Sequence, residues 1–410
     1  PEIIHGFANM NATIKVLPGD RAYADPARAS RPFSSDRRGF VLSEGAGVVV
    51  LAAEEMLARH GLTARAEVMG VGWTSDAYHF TKPNPVTITR GIREAIDDAG
   101  LYTVIVGHGN GLGASSLQVG LSLHTEEDLL AAAEPHLKKT RLGVYLIPGF
   151  GTIHDHIEPA IARGVRLVKV GCHCTEADVT RQHIEYVRAH EVEAYGVLMM
   201  SHMAEPERLL LEAKKMESYG ALGVILMDSA GALLPKQVSE RVKRIVSECG
   251  LCVGFHAHNN MSLAVANTLA AIDAGAAIVD GTLRGFGAGA GNCQLEILCG
   301  ILQKMNVDTG LDFYRLLDVC DMIVASDLQK KPTEITSLSL VGGLSGVFSA
   351  FTEHIKKAAI RFNVDPRDIF VELGKRKVVG GQEDMIVDVA MNLAQRTRKD
   401  DISFLMESLL

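Results

Sequence analysis

Val253-Gly254-Phe255-His256-Ala257-His258-Asn259-Asn260 is the stretch on which the fold turns. Residues 253–256 have the apolar, partly β-branched character of a buried strand, and the chain then runs out into polar residues. Alternation along a strand sends residues i and i+2 to the same side, so His256 and His258 point together. The same pattern repeats outward in both directions. Residues 104–106, 143–147, 167–170, 195–199, 223–227 and 277–279 are further short apolar runs, each followed by helix-forming sequence. Strands alternating with amphipathic helices predict βα units around a parallel sheet, and such barrels keep their chemistry at the C-terminal ends of the strands.

Seven runs are one short of the eight that close a TIM barrel. The missing strand is expected upstream, where residues 66–73 are strand-like. Residues 88–99 form a helical pattern ending at Gly100, which suits a C-cap. Residues 74–85 link the two and carry Asp76 and His79 at the strand end where a barrel keeps catalytic groups. Beyond about Ile301 the strand signal gives way to helices, among them residues 352–362 and 385–395. The expected architecture is a (β/α)8 TIM barrel followed by a small helical C-terminal domain.

Bulk properties narrow the function. The chain has 410 residues, 47% hydrophobic and 22% charged, enough for a barrel with a sizeable core plus a further unit. The formal net charge is −8, and the longest basic runs are Lys138-Lys139 and Lys375-Arg376-Lys377. That balance argues against nucleic acid or an anionic membrane surface and for a small-molecule substrate. Seven scattered cysteines do not form the framework of a secreted disulfide scaffold, and no apolar run is long enough to span a bilayer. With no signal segment evident, the protein reads as cytoplasmic. Cys249-Gly250-Leu251-Cys252 has C-x-x-C spacing but lies where a helix gives way to a strand, with no second pair nearby.

Two imidazoles at strand spacing on a barrel rim point to a divalent metal ion, with an added carboxylate completing its ligands. Manganese, cobalt or magnesium would act there as a Lewis acid on a ketone. Ser229, in Asp228-Ser229-Ala230-Gly231 after another strand, can bond a substrate carboxylate or cap a helix. The glycines of residues 285–292 let backbone amides approach a ligand, or simply make a tight barrel rim. His173 and Cys174 can equally line the barrel floor.

Several motifs together resemble the 4-hydroxy-2-oxovalerate aldolase family. They are Gly107-His108-Gly109-Asn110-Gly111-Leu112-Gly113, Gly149-Phe150-Gly151-Thr152, Met199-Met200-Ser201-His202-Met203, Met227-Asp228-Ser229-Ala230-Gly231, the His-x-His pair and Val378-Val379-Gly380-Gly381-Gln382-Glu383-Asp384-Met385. The likeness runs from about Val104 to about Gln395. It implies a pyruvate-specific class II aldolase that cleaves 4-hydroxy-2-oxovalerate to pyruvate and acetaldehyde in aromatic hydrocarbon catabolism; of the divalent ions that the ligand chemistry suits, Mn2+ is the expected one. It implies a 2-oxo acid substrate contacted by Ser229, by His256 and by the residue at position 348. It also implies that the C-terminal helices dock on an acylating acetaldehyde dehydrogenase.

Two departures stand out. The family's first strand ends in Arg-Asp-Gly-x-His, whereas here Ser75-Asp76-Ala77-Tyr78-His79 occupies nearly that distance before Gly107-His108. On this alignment Asp76 joins His256 and His258 as a metal ligand and His79 is the general base, while Ser75 leaves the enolate without its arginine. After Gly346-Val347 the family has a substrate-binding tyrosine, and this chain has Phe348, which lacks the hydroxyl. Asp36-Arg37-Arg38-Gly39-Phe40-Val41-Leu42-Ser43-Glu44-Gly45 and its surroundings resemble an internal piece of a β-ketoacyl synthase, without that family's catalytic groups. The expected division is a foreign ketosynthase-like segment at 1–64, a barrel at 65–300 whose first βα unit is borrowed, and a docking domain at 301–410. The rival readings are a catalytically impaired hybrid that only docks a partner, and a Claisen-type condensing enzyme of the same metal-barrel superfamily.

Overall fold

The computed structural model describes residues 96–116, 120–122, 124–325 and 334–408. The ketosynthase-like segment and the borrowed first strand, with Asp76 and His79, lie outside the described residues. Seven strands form one sheet: β1 (Thr103–Ile105), β2 (Arg141–Leu146), β3 (Leu167–His173), β4 (Glu193–Met199), β5 (Gly223–Asp228), β6 (Cys252–Ala257) and β7 (Ile278–Asp280). They lie side by side in chain order, and every neighbouring pair is parallel. Parallel neighbours need crossovers, which are α1 (Glu126–Ala133), α2 (Glu158–Ala162), α3 (Arg181–Ala189), α4 (Pro206–Ser218), α5 (Pro235–Val246) and α6 (Ala264–Asp273). All seven expected runs are strands, with ends displaced by at most three residues.

The sheet is rolled. Four strand spacings of about 4.8 Å would hold β3 and β7 roughly 19 Å apart in a flat sheet. Instead Lys169 Nζ of β3 lies 2.5 Å from Asp280 Oδ1 of β7, across the interior. Rolling gives each strand two covered faces, which is why the strands read as continuous apolar runs. Val168, Val170, Val224, Leu226, Val253 and Phe255 pack outward against the helices. The alternate residues Leu167, Tyr195, Val197 and Ile225, with Tyr145, Met199, Met227 and Ile278, form a separate cluster that fills the interior.

The helices are cut to match. Proline opens both α4 and α5, at the position where a missing N–H costs nothing. On α5, Val238, Val242 and Ile245 recur at helical spacing and are buried. After β7 come α7 (Leu295–Lys304) and α8 (Phe313–Ala325), then α9 (Ser337–Ser345), α10 (Thr352–Phe362), α11 (Pro366–Arg376) and α12 (Asp384–Ser408). The last four close around their own core of Val347, Phe351, Ile355, Ile369, Phe370, Leu373, Ile386 and Val389. No helix among the described residues is long and apolar enough to cross a membrane. All seven cysteines are free thiols, and Cys249 donates to Glu217, the last residue but one of α4.

Candidate active site

β6 delivers the two histidines as its alternation requires. Phe255 and Ala257 are buried against the helices, while His256 faces the interior and His258 follows at the rim. The two rings lie 5.4 Å apart, centroid to centroid, a separation that one ion with bonds of about 2.1 Å to nitrogen can span. His256 Nδ1 is 3.2 Å from Asp280 Oδ2, and Asp280 Oδ1 takes the Lys169 ammonium. Burial works to raise the Asp280 pKa, but Lys169 and His256 outweigh it and hold the carboxyl well below the usual range.

His258 is in a different state. Burial, aided by the neighbouring His256, pushes its pKa down to about 3, so the ring is neutral at pH 7. Its Nδ1 is buried without a hydrogen-bond partner. A buried nitrogen left unpaired is costly, and a neutral imidazole is the form a divalent cation takes as ligand. The pair therefore fits a metal. Among the described residues no three His, Cys, Asp or Glu side chains are grouped as a metal site.

The neighbouring strand ends shape the rim. Met200 turns the chain after β4 through a left-handed backbone, φ 54°. Its N–H donates to the Ser229 hydroxyl at 2.9 Å. Ser229 is fully buried; α5 starts only at Pro235, so Ser229 caps no helix. Arg241 of α5 is buried and donates to the carbonyls of Ser201 (3.2 Å) and Ala204 (3.0 Å), clamping that turn. Asp228 accepts from the N–H groups of Ala232 (2.9 Å) and Leu233 (3.0 Å), and burial lifts its pKa to about 6.

The C-terminal helices roof this rim. His202 Nε2 meets the Gly346 carbonyl at 3.0 Å. Asn260 donates to Ser339 O at 3.1 Å and accepts from the Ser349 hydroxyl at 3.2 Å. Phe348 is half-buried and stands edge-on to Phe351 at 5.8 Å. The glycine-rich stretch lies against the end of β6, with Asn259 N–H donating to Gly291 O and Cys293 N–H to Ala257 O. His173 is hydrogen-bonded to Thr175, and the Cys174 thiol donates to Met200 O.

Two expected outcomes follow from the rim. Gly231 has φ 59°, and a Cβ there would stand 2.8 Å from Asn260 N and 2.9 Å from His258 O. Gly231→Ala combines a left-handed backbone cost of about 1–2 kcal/mol with overpacking of about 1–3 kcal/mol. It should lower the urea midpoint accordingly, and an unchanged midpoint would contradict the packing described.

Burial also lowers the His202 pKa to about 4, below its unfolded value of about 6.5. The unfolded chain thus binds more protons in this window, so His202 contributes stability that is lost as pH falls from about 6.5 through about 4. Asp228, raised to about 6, works in the opposite sense between about 4 and 6. The informative quantity is therefore a difference between variants. Between pH 6.5 and 4.5, metal-free wild type should lose about 2 kcal/mol more than His202→Gln in urea titrations; equal losses would contradict the assignment.

Lys169, Asp280 and Arg241 are the site-forming groups that the reading of the sequence passes over. The signal for Lys169 was present: one charge inside Leu167-Val168-Lys169-Val170 requires a partner when the strand is buried on both faces.

Comparison with known proteins bears on the whole assembly. Residues 111–323 match the HMGL-like family model, and residues 333–395 match the DmpG-like communication domain. A 4-hydroxy-2-oxovalerate aldolase of Spirochaeta aurantia is 52% identical over 293 residues, covering 72% of this chain and 86% of the relative. One from Pectobacterium atrosepticum is 50% identical over 303 residues, covering 74% and 88%. Among solved structures, the carboxyl transferase domain of Rhizobium etli pyruvate carboxylase superposes with a TM-score of 0.65 at 16% identity, covering 76% of this chain and 57% of that one. The N-terminal domain of a putative aldolase from Bacteroides vulgatus gives 0.56 at 22% identity, covering 67% and 91%. These two likenesses concern the barrel fold alone. On the sequence relatives and the two domain matches, this chain belongs to the 4-hydroxy-2-oxovalerate aldolase family of carbon–carbon lyases, with an HMGL-like TIM barrel joined to a communication domain.

Proposed function

We propose that the protein is a metal-dependent class II aldolase that cleaves 4-hydroxy-2-oxovalerate to pyruvate and acetaldehyde. The observation that carries this reading is the imidazole pair His256 and His258 on the barrel rim, one of whose buried nitrogens lacks a partner. Its relatives in Spirochaeta aurantia and Pectobacterium atrosepticum bear the name of that activity. His256 and His258 would hold a divalent ion, with Asp76 as the carboxylate ligand and Mn2+ as the natural first choice. When bound, such an ion supplies Lewis acidity toward a 2-oxo group and its developing negative charge.

The side chains then have defined tasks. His79 would accept the proton of the C4 hydroxyl. The C3–C4 bond breaks, its electron pair passing into the pyruvate enolate while C4 leaves as acetaldehyde. Protonation of the enolate at C3 gives pyruvate. Ser229 holds the Met200 turn beside the substrate space, and Phe348 offers an apolar wall where the family has a hydroxyl. Ser75 stands where the family keeps an arginine, so enolate stabilisation is weaker and a slow enzyme is expected.

In this reading the chain is divided into a ketosynthase-like segment at 1–64, the barrel at 65–300 and the helical domain at 301–410. The communication domain would dock an acylating acetaldehyde dehydrogenase, which takes the aldehyde in the cytoplasm. The test is pyruvate release from 4-hydroxy-2-oxovalerate with added Mn2+, followed by coupling to lactate dehydrogenase. Release that EDTA abolishes supports the aldolase. No release at high enzyme concentration favours the rival in which the missing Arg-Asp motif leaves a silent docking scaffold.

A further inference from the structure

Asp280 lies directly opposite His256 in the register of β6 and β7, so their side chains share the interior face. Both carboxylate oxygens are engaged: Oδ2 with His256 Nδ1 at 3.2 Å, and Oδ1 with Lys169 Nζ at 2.5 Å. Lys169 reaches this point from β3, on the far side of the rolled sheet. A buried ion pair is weak evidence for stability, because apolar residues of similar volume usually serve as well. Around this pair the barrel interior does use apolar residues, namely Leu167, Tyr195, Val197 and Ile225. The charged pair stands at the end of the interior where it touches His256.

We propose that Asp280, held in place by Lys169, is the positioning carboxylate of this site. It accepts the Nδ1 proton of His256 and so fixes that ring with Nε2 bare and turned to the ion. Lys169 keeps the carboxylate from swinging onto the metal itself. A metal-bound imidazole whose second nitrogen is tied to a carboxylate is better oriented and more basic, and losing such a partner typically weakens metal affinity about 10–100-fold. The proposal rests on His256 and His258 being metal ligands, but its first consequence, the tautomer of His256, exists without metal.

Two readouts test it. In metal-free protein labelled with 15N-histidine, long-range 1H–15N spectra should show His256 protonated at Nδ1. In Asp280→Asn the neutral amide still accepts a proton but carries no charge. In the double variant Lys169→Met/Asp280→Leu both charges go together, so neither is left stranded in the interior. The double variant should move His256 toward the Nε2–H form. Both variants should weaken Mn2+ binding, read by EPR of the free ion, about 10–100-fold with unchanged circular dichroism. His256 unchanged in tautomer, or Mn2+ affinity unchanged in the double variant, would overturn the proposal. So would a loss in Asp280→Asn as complete as in His258→Ala, which would make Asp280 a ligand. If wild type itself takes up no Mn2+, the metal reading falls and the tautomer readout alone decides.

Discussion

His258→Ala is expected to remove the proposed divalent-cation binding and pyruvate release while leaving the barrel folded. Mn2+ affinity should drop by more than about 100-fold, beyond what losing an orienting partner costs. The fold should survive because the wild-type ring leaves Nδ1 without a hydrogen bond and gives up only its bond to the Ala288 backbone, a loss of about 1–3 kcal/mol. A Tm change within about 4 °C, roughly 3 kcal/mol for a chain of this length, is the expected accompaniment. Metal titration by EPR, with thermal unfolding on the same samples, separates the two effects. Wild-type affinity in the variant would mean that the ring is not a ligand.

Arg241→Ala is expected to have the largest effect on folding. Its guanidinium lies buried between α5 and the turn after β4 and saturates the carbonyls of Ser201 and Ala204. Each buried carbonyl left without a donor costs about 1–3 kcal/mol, so two together cost about 2–6 kcal/mol. The same turn presents Met200 to Ser229 and His202 to Gly346. Loosening it should therefore also free the roof helices, raising amide exchange in α9 as well as lowering the urea midpoint. A variant as stable as wild type would show that water replaces the arginine and that the clamp is dispensable.

The strands were legible because a rolled parallel sheet demands apolar residues on both faces, and residues 223–227 and 253–256 meet that demand without reference to anything distant. The α10 boundaries were equally local: residues 352–362 are the helix the pattern implies. His256 and His258 could be placed together because their neighbourhood needs only period-two alternation. Lys169 and Asp280 were not legible, since 111 residues separate them and their contact exists only once the sheet has rolled. The His202 contact with Gly346 spans 144 residues and depends on how the roof sits on the barrel. Ser229 reads in sequence as a group free to meet substrate or cap a helix, yet its hydroxyl holds the Met200 turn, a tertiary use that local spacing does not encode. Asp76 and His79 lie outside the described residues, so their part in the site stands as proposed.

The imidazole pair is the centre of this account, and anomalous X-ray scattering from crystals grown with Mn2+ tests it most directly. One anomalous peak within bonding distance of both His256 and His258, absent in crystals treated with EDTA, is the predicted result. Crystals with no peak at the barrel rim, or with manganese held only elsewhere on the chain, would contradict it.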